Sequence, residues 1–357
     1  MSRIQIASKA EVISDPRPDF VPKVSVVIPT YNTQDYICEA VDSVLSQTLK
    51  DIEVIIVDDG STDNTMSFLK PYFHSIRYIR QENSGPSVAR NRAINEARSE
   101  FIAFLDSDDY YLLPTKLEEQ LACFEADPSL DIVHAGLRVV YEGNSKYVDR
   151  ELWRNCPTLN LEAWLKWKPV FLGAMMIRRE SLLQVGGFDT RFPPSEDVEL
   201  TLRLGLMECK AAWLKKTVVG YRQRSTSISS NAAKQAKALR GVMNSFFSLA
   251  DLPPKLKKIE KEVRYDTLLW NAWCFYSNGN YVEMAEHLKE SLDYTPYSSI
   301  RTIADWVNFF TNVAINGYGY QLNPYDLNNL PEWQELMHYV INAGSQKQNT
   351  STSLNYA

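Results

Sequence analysis

The sequence predicts an α/β protein built on a mostly parallel sheet, followed by an all-α region, and three observations carry that expectation. Between Val24 and Val140, short β-branched runs alternate with amphipathic segments of helix length, the pattern of βαβ units. Acidic clusters stand just after two of those runs, at the carboxyl ends of strands, where open parallel sheets place their sites. Beyond Ser225 no run of strand character remains, and the segment from Ala232 to Ala343 reads as helices.

Taken in order, residues 1–20 read as an extended lead-in, because the prolines of Asp15-Pro16-Arg17-Pro18-Asp19 disfavour helix in the residues before them. Order is expected to begin near Val21. The expected strands are Val24 to Ile28, Ile52 to Asp58, Ile76 to Arg80, Phe101 to Leu105 and Ile132 to Val140. The helices between them are Asp35 to Ser46, Thr62 to Phe73, Pro86 to Arg98 and Pro114 to Ala126. Ser61-Thr62-Asp63 offers cap oxygens, and Pro86 and Pro114 suit the first helical turn. After Gly143 a Trp-rich stretch with Trp153, Trp164 and Trp167 leads to a strand from Phe171 to Arg178. A helix from Glu180 to Val185 is stopped by Gly186-Gly187. A helix from Glu196 to Leu206 and a strand from Ala211 to Tyr221 complete a domain over residues 21–230.

In the helical region, residues 231–345, Pro253-Pro254 marks a break. Leu268 to Tyr276, the turn Asn278-Gly279-Asn280 and Val282 to Leu292 form one hairpin of tetratricopeptide type. A single copy does not establish that repeat. Residues 346–357, rich in Gln, Asn, Ser and Thr, are expected to be disordered.

Composition narrows the function classes. Of 357 residues 45% are hydrophobic and 23% charged, which suits a folded protein rather than a disordered one. The net charge of -6, with Lys and Arg scattered, gives no footprint for nucleic acid. Five widely spaced cysteines without a CxxC pair predict neither a disulfide framework nor a zinc site, and point to a cytoplasmic setting. No apolar run reaches the roughly 18 residues of a membrane span, and the N-terminus lacks the apolar core of a signal peptide. Peripheral association with the inner face of a membrane is compatible with this composition, as is a homodimer.

Four constellations carry chemistry. Val57-Asp58-Asp59-Gly60-Ser61 puts two carboxylates where a buried strand ends, able to accept a uracil imide or a ribose hydroxyl, or simply to cap the next helix. Phe104-Leu105-Asp106-Ser107-Asp108-Asp109-Tyr110 crowds three carboxylates into four residues, an arrangement that a cation would neutralise. Magnesium or manganese fits, since it needs only one or two protein carboxylates alongside substrate phosphates; a solvated acidic loop is the plain alternative. In Asn83-Ser84-Gly85-Pro86-Ser87-Val88-Ala89-Arg90, Gly85 and Pro86 open a helix whose N-terminus favours an anion, with Arg90 one turn in. Arg90 could equally pair with a surface carboxylate. Ser195-Glu196-Asp197 starts a helix with acids that suit its dipole, yet one of them beside an acceptor hydroxyl would make a general base.

Together with the opening strand and loop Val24-Ser25-Val26-Val27-Ile28-Pro29-Thr30-Tyr31-Asn32, these motifs resemble glycosyltransferase family 2 from about Val24 to Ser229. The resemblance implies a GT-A type fold with a mixed, mostly parallel sheet flanked by helices, and transfer of a single sugar from a nucleoside-diphosphate sugar with inversion. By the same resemblance Pro29, Thr30, Tyr31, Asp58 and Asp59 lie at the nucleotide, with Gly85, Arg90, Asp106 and Ser107 near the donor. Asp108, with Asp106, takes a divalent metal, Mn2+ or Mg2+; Asp197 is the catalytic base and Glu196 positions the acceptor. UDP is the family's expected nucleotide.

One departure stands out. Where many relatives carry Tyr-Arg-x-His, this chain has Tyr221-Arg222-Gln223-Arg224, so arginine replaces a metal-ligating histidine and becomes a candidate clamp on the diphosphate. The Gln-x-x-Arg-Trp motif of processive synthases is absent. Two rival readings are a metal-dependent nucleotidyltransferase, against which the lack of a Gly-rich phosphate loop after the first strand counts, and a non-catalytic scaffold acting through its helical region. Nothing in the sequence names the acceptor.

Overall fold

The computed structural model describes residues 4–7, 9–141, 143, 146–224 and 231–352. The chain divides into two units, Met1–Ser225 and Thr226–Ala357. The expected boundary after residue 230, and the end of the family resemblance at Ser229, fall in a segment outside the described residues.

In the first unit the strands are β1 (Ala10–Ser14), β2 (Val24–Thr30), β3 (Ile52–Asp58), β4 (Arg77–Gln81), β5 (Phe101–Phe104), β6 (Tyr110–Tyr111), β7 (Ile132–Tyr141), β8 (Tyr147–Arg150), β9 (Met176–Arg178) and β10 (Ala211–Gln223). Its helices are α1 (Ile37–Leu45), α2 (Thr65–Leu69), α3 (Pro86–Glu96), α4 (Lys116–Ala126), α5 (Leu161–Lys166), α6 (Arg179–Gln184) and α7 (Glu196–Leu206). The strands form one mixed sheet in the order β1-β4-β3-β2-β5-β9-β7-β10-β6, with β8 paired to β7. The run β4-β3-β2-β5 is parallel, as is β7-β10; β9 joins the two halves through antiparallel pairing on both sides.

Strands β2 and β3 are buried at every position, because helices cover both faces of the sheet. Val26, Ile28, Val54 and Ile56 pack with Ile37, Ala40, Val41 and Val44 of α1. The alternate residues point the other way, and α3 packs against β2 and β3. All four parallel strands therefore end at one edge, which carries the loops described below.

Several expectations are corrected. The lead-in is not merely extended: Ala10–Ser14 pairs antiparallel with β4 as an edge strand. Ion pairs from Arg98 and Arg77 to Asp15 tie it down, a long-range effect that local proline rules cannot anticipate. Of the strand expected over Phe171 to Arg178, only Met176–Arg178 pairs; Leu172–Ala174 forms a turn of 3-10 helix. Helix α2 is shorter than expected and tightens into a 3-10 turn at Lys70–Tyr72. The reason is that Asp63 Oδ1 accepts from the Thr65 N–H at 2.9 Å, so residues 62–64 form a turn before the helix starts. Trp164 is core, half-buried Trp153 packs over Gly136, and Trp167 is exposed.

The second unit contains α8 (Ala232–Phe247), α9 (Pro254–Lys258), α10 (Glu260–Ser277), α11 (Tyr281–Ser291), α12 (Ser299–Tyr318), α13 (Pro324–Asn328) and α14 (Pro331–Thr352). Its core gathers Trp273, Met284, Leu288, Trp306, Phe310 and Trp333. Helices α10 and α11 form the expected hairpin, turning at Gly279, whose φ of +75° favours glycine. Helix α14 continues to Thr352 through residues 346–352, where composition predicts disorder. Once Trp333, Leu336 and Val340 dock its first turns, extension costs far less than nucleation, and no proline interrupts it. No helix among the described residues is long and apolar enough to cross a membrane.

Candidate active site

The register of β2 on β3 sets Pro29 opposite Val57 and Thr30 opposite Asp58, so the two loops emerge side by side. Pro29 and Thr30 are buried, and Thr30 Oγ1 lies 2.7 Å from Thr33 Oγ1; Tyr31 projects and is 48% exposed. Asn32, not singled out from the sequence, sits at φ +53° and its Oδ1 accepts the Thr62 N–H at 2.8 Å. It fastens one loop to the other; asparagine's tolerance of that conformation was the available signal.

The two adjacent aspartates have different work. Asp58 is fully buried, accepting from the Ser61 N–H at 2.7 Å and from the Tyr78 hydroxyl. Asp59 accepts from Gln81 Nε2 at 2.7 Å and from the N–H groups of Ser84, at 2.9 Å, and Gly85, at 2.7 Å. Burial raises its pKa, and these donors oppose the shift. Asp59 thus holds the Asn83-Ser84-Gly85 turn that opens α3, where Gly85 at φ +92° has open space around it.

Arg90, on α3, is buried and bridges two distant segments. Its Nη2 donates to Asp106 Oδ1 at 2.6 Å and its Nη1 to Glu196 Oε1 at 2.8 Å. Phe188 lies beneath it at 5.6 Å. The neighbouring Asn91 grips Phe188 from both sides, accepting its N–H at 2.7 Å and donating to its carbonyl at 2.9 Å. That close approach explains Gly187, at φ +71°, where a Cβ would stand 2.4 Å from Asn91 Oδ1.

In the acidic loop Ser107 is buried, and Asp106 keeps 40% of its side chain exposed. Asp108 pairs with Arg224, just past β10. Burial and the Asp106 charge push the Asp108 carboxyl upward in pKa, against Arg224. Asp109 is 2% exposed and accepts the Arg222 N–H at 2.8 Å; burial, then the charges of Asp108 and Asp106, raise it well above the usual range. Sequence reasoning missed Tyr36, whose ring lies 4.7 Å from the Arg224 guanidinium and 5.0 Å from that of Arg222. The alternation Arg222-Gln223-Arg224 at the end of β10, which puts both arginines on one side of the extended chain, was the signal for the pair.

Glu196 is 7% exposed, and its Oε2 is buried without a hydrogen-bond partner. Partly buried Asp197 is pushed up to about 7 by burial first and then by Glu196, with Arg90 opposing. Acidic loop, Arg90, Glu196 and Asp197 thus form one electrostatic unit.

Among the described residues no three His, Cys, Asp or Glu side chains gather as a ready-made metal site. Asp106 and Asp108 nonetheless fit an ion that takes two carboxylates and completes its shell with phosphates and water, given the exposure of Asp106.

The mixed sheet, with its loops gathered at one edge, is a fold of the GT-A type, shared with solved glycosyltransferase structures. Two solved structures share the fold. Staphylococcus aureus TarS 1-349 in complex with UDP-GlcNAc superposes with a TM-score of 0.59 at 20% identity, over 90% of this chain and 92% of that one. Mannosyltransferase PcManGT from Pyrobaculum calidifontis, in complex with GDP-Man and Mn2+, gives 0.58 at 21% identity over 95% and 90%. The family described as Glycosyl transferase family 2 matches residues 25–186. TuaG of Bacillus subtilis, a glycosyltransferase named for teichuronic acid biosynthesis, is 35% identical over 60% of this chain and 85% of its own length. WfaP of Escherichia coli, a UDP-Glc:alpha-D-GlcNAc-diphosphoundecaprenol beta-1,3-glucosyltransferase, is 31% identical over 62% and 86%. Other relatives are longer; the chain spans 32% of an uncharacterized glycosyltransferase from Rickettsia felis. The chain belongs to glycosyltransferase family 2.

Proposed function

We propose that this chain transfers a single sugar from a nucleoside-diphosphate sugar, UDP-linked, to an acceptor hydroxyl with inversion, in polysaccharide or glycoconjugate synthesis. The observation that carries the reading is the Arg90 bridge, which ties Asp106 on the donor side to Glu196 beside the base. Pro29 and Tyr31 flank the base of the nucleotide. Asp59 joins them at the base, Gly85 and Ser107 line the sugar and phosphates, and buried Thr30 and Asp58 hold those loops in shape.

In the reaction the acceptor oxygen attacks the anomeric carbon opposite the diphosphate. The new C–O bond forms as the bond to the phosphate oxygen breaks, with its electrons leaving on the nucleoside diphosphate. Asp197 takes the acceptor proton; a carboxylate raised to about 7 is a stronger base than an ordinary one and stays about half ionised at neutral pH. Glu196 Oε2, buried and unpartnered, accepts a hydrogen bond from a neighbouring hydroxyl of the acceptor and orients it. Mn2+ or Mg2+ held by Asp108 and Asp106 would supply Lewis-acid neutralisation of the leaving diphosphate.

WfaP's donor and lipid-diphosphate acceptor support UDP, and an acceptor presented at the inner face of a membrane. The five free cysteines suit a cytoplasmic setting. The test is product identity: with sugar nucleotides and a membrane-lipid acceptor extract, nucleoside diphosphate is released, and Asp197→Asn abolishes the release. Pyrophosphate release would mark a nucleotidyltransferase instead, and no release of either would leave the scaffold reading.

A further inference from the structure

We propose that Arg224 is a built-in cation for the donor's diphosphate, so that donor binding keeps a component that no divalent ion supplies. The proposal rests on the donor reading above.

Both carboxylates of Asp106-Ser107-Asp108 already hold a guanidinium, Asp106 through Arg90 and Asp108 through Arg224. The pair of acids that a metal would otherwise have to neutralise is compensated in part by the chain itself. The two arginines are not equivalent. Arg90 is buried and locked by a second bond to Glu196, so it cannot turn to a ligand without breaking the bridge. Arg224 reaches Asp108 through Nη2, and its Nε is buried without a hydrogen-bond partner. Arg222, on the same face, also has a buried, unpaired Nε, while its Nη2 donates to Glu39 at 2.7 Å. The ring of Tyr36 lies against both guanidiniums.

Two planar guanidiniums, fixed against one aromatic ring beside the acidic loop, suit an anion that presents several oxygens in a row. A diphosphate does so, and a guanidinium matches phosphate oxygens bidentately where a single point charge would not. Donor arrival gives Arg224 a dianionic partner in place of, or together with, Asp108. That exchange leaves Asp108 an oxygen for a metal ion, so the two cations assist one another without either being obligatory.

The experiment is calorimetric titration of UDP and of uridine into the full chain, with Mn2+ and with EDTA, for wild type, Arg224→Ala and Arg224→His. Wild type is expected to keep UDP binding in EDTA within about tenfold of its affinity in Mn2+. Losing a charged hydrogen-bond partner should weaken UDP binding of Arg224→Ala in EDTA by about ten- to a hundredfold. Uridine binding, which reports an intact nucleoside site, should stay unchanged. Arg224→His should bind UDP in Mn2+ and lose it in EDTA. The proposal is overturned if chelation abolishes UDP binding to wild type, or if Arg224→Ala binds UDP in EDTA as wild type does. If wild type takes up none of UDP, GDP and dTDP even in Mn2+, the donor reading itself falls and the proposal with it.

Discussion

Arg90 Nη1 lies 2.8 Å from Glu196 Oε1 although the two residues are 106 positions apart in the chain. One buried cation therefore couples the start of α7 to the acidic loop after β5. Arg90→Ala would leave buried Glu196 without its counter-charge. Breaking a buried pair from one side typically costs about 3–5 kcal/mol, and the partial exposure of Asp106 places this case near the lower figure. Urea denaturation should show a loss of about 3 kcal/mol; a loss below about 1 kcal/mol would mean that the bridge is not the joint described here.

Under the proposed mechanism Asp197 acts on the acceptor, so Asp197→Asn should keep UDP affinity within about twofold while transfer falls by about 10² to 10⁴. The same residue sets a pH limb. A base must be ionised, and burial brings Asp197 to about 7, so kcat/KM should decline as pH drops below that value. A rate flat from pH 8 to pH 5, or near wild-type transfer by Asp197→Asn, would assign the base elsewhere.

Gly187→Ala meets two obstacles at once, a φ of +71° and an Asn91 Oδ1 only 2.4 Å from the new Cβ. The Asn91 clamp on Phe188 must yield, and strain of this kind costs about 2 kcal/mol. A melting temperature equal to wild type would show that the turn relaxes freely.

Lys116 is fully buried, donating to Gln120 Oε1 at 2.8 Å above the Tyr111 ring. Burial lowers its pKa from 10.5 to about 7. Between those values the unfolded chain holds a proton that the folded protein does not, so stability rises with pH through that window. Relative to Lys116→Met, wild type should gain up to about 1.4 kcal/mol per pH unit from pH 7 towards pH 10. Parallel stability curves for the two proteins would show that the lysine stays charged in the fold.

Strands β2 and β3 were legible because burial on both faces demands continuous β-branched runs, and their ends carried the acidic loops with them. Edge strand β1 was not, since Ala10–Ser14 is largely exposed and owes its place to Asp15 meeting Arg77 and Arg98. Two-residue β6 offers no periodicity at all. In the site, residue types and order singled out Asp106, Asp108, Glu196 and Asp197 as candidates, yet not who neutralises whom. That Arg90 serves both Asp106 and Glu196, and that Tyr36 backs Arg222 and Arg224, are facts of tertiary approach that no local spacing encodes. The exposed Trp167 shows the converse: three tryptophans with similar sequence surroundings end in three different environments.

The most direct test of the whole account is a thermal-shift screen of sugar nucleotides with the full chain, with and without Mn2+. A ligand that binds only the folded state adds about 2.7 kcal/mol at a hundred times its Kd, a plain rise in melting temperature. At least one nucleoside-diphosphate sugar should give that rise, and UDP-linked donors should exceed the rest. A panel in which no sugar nucleotide shifts the transition in either condition would contradict it.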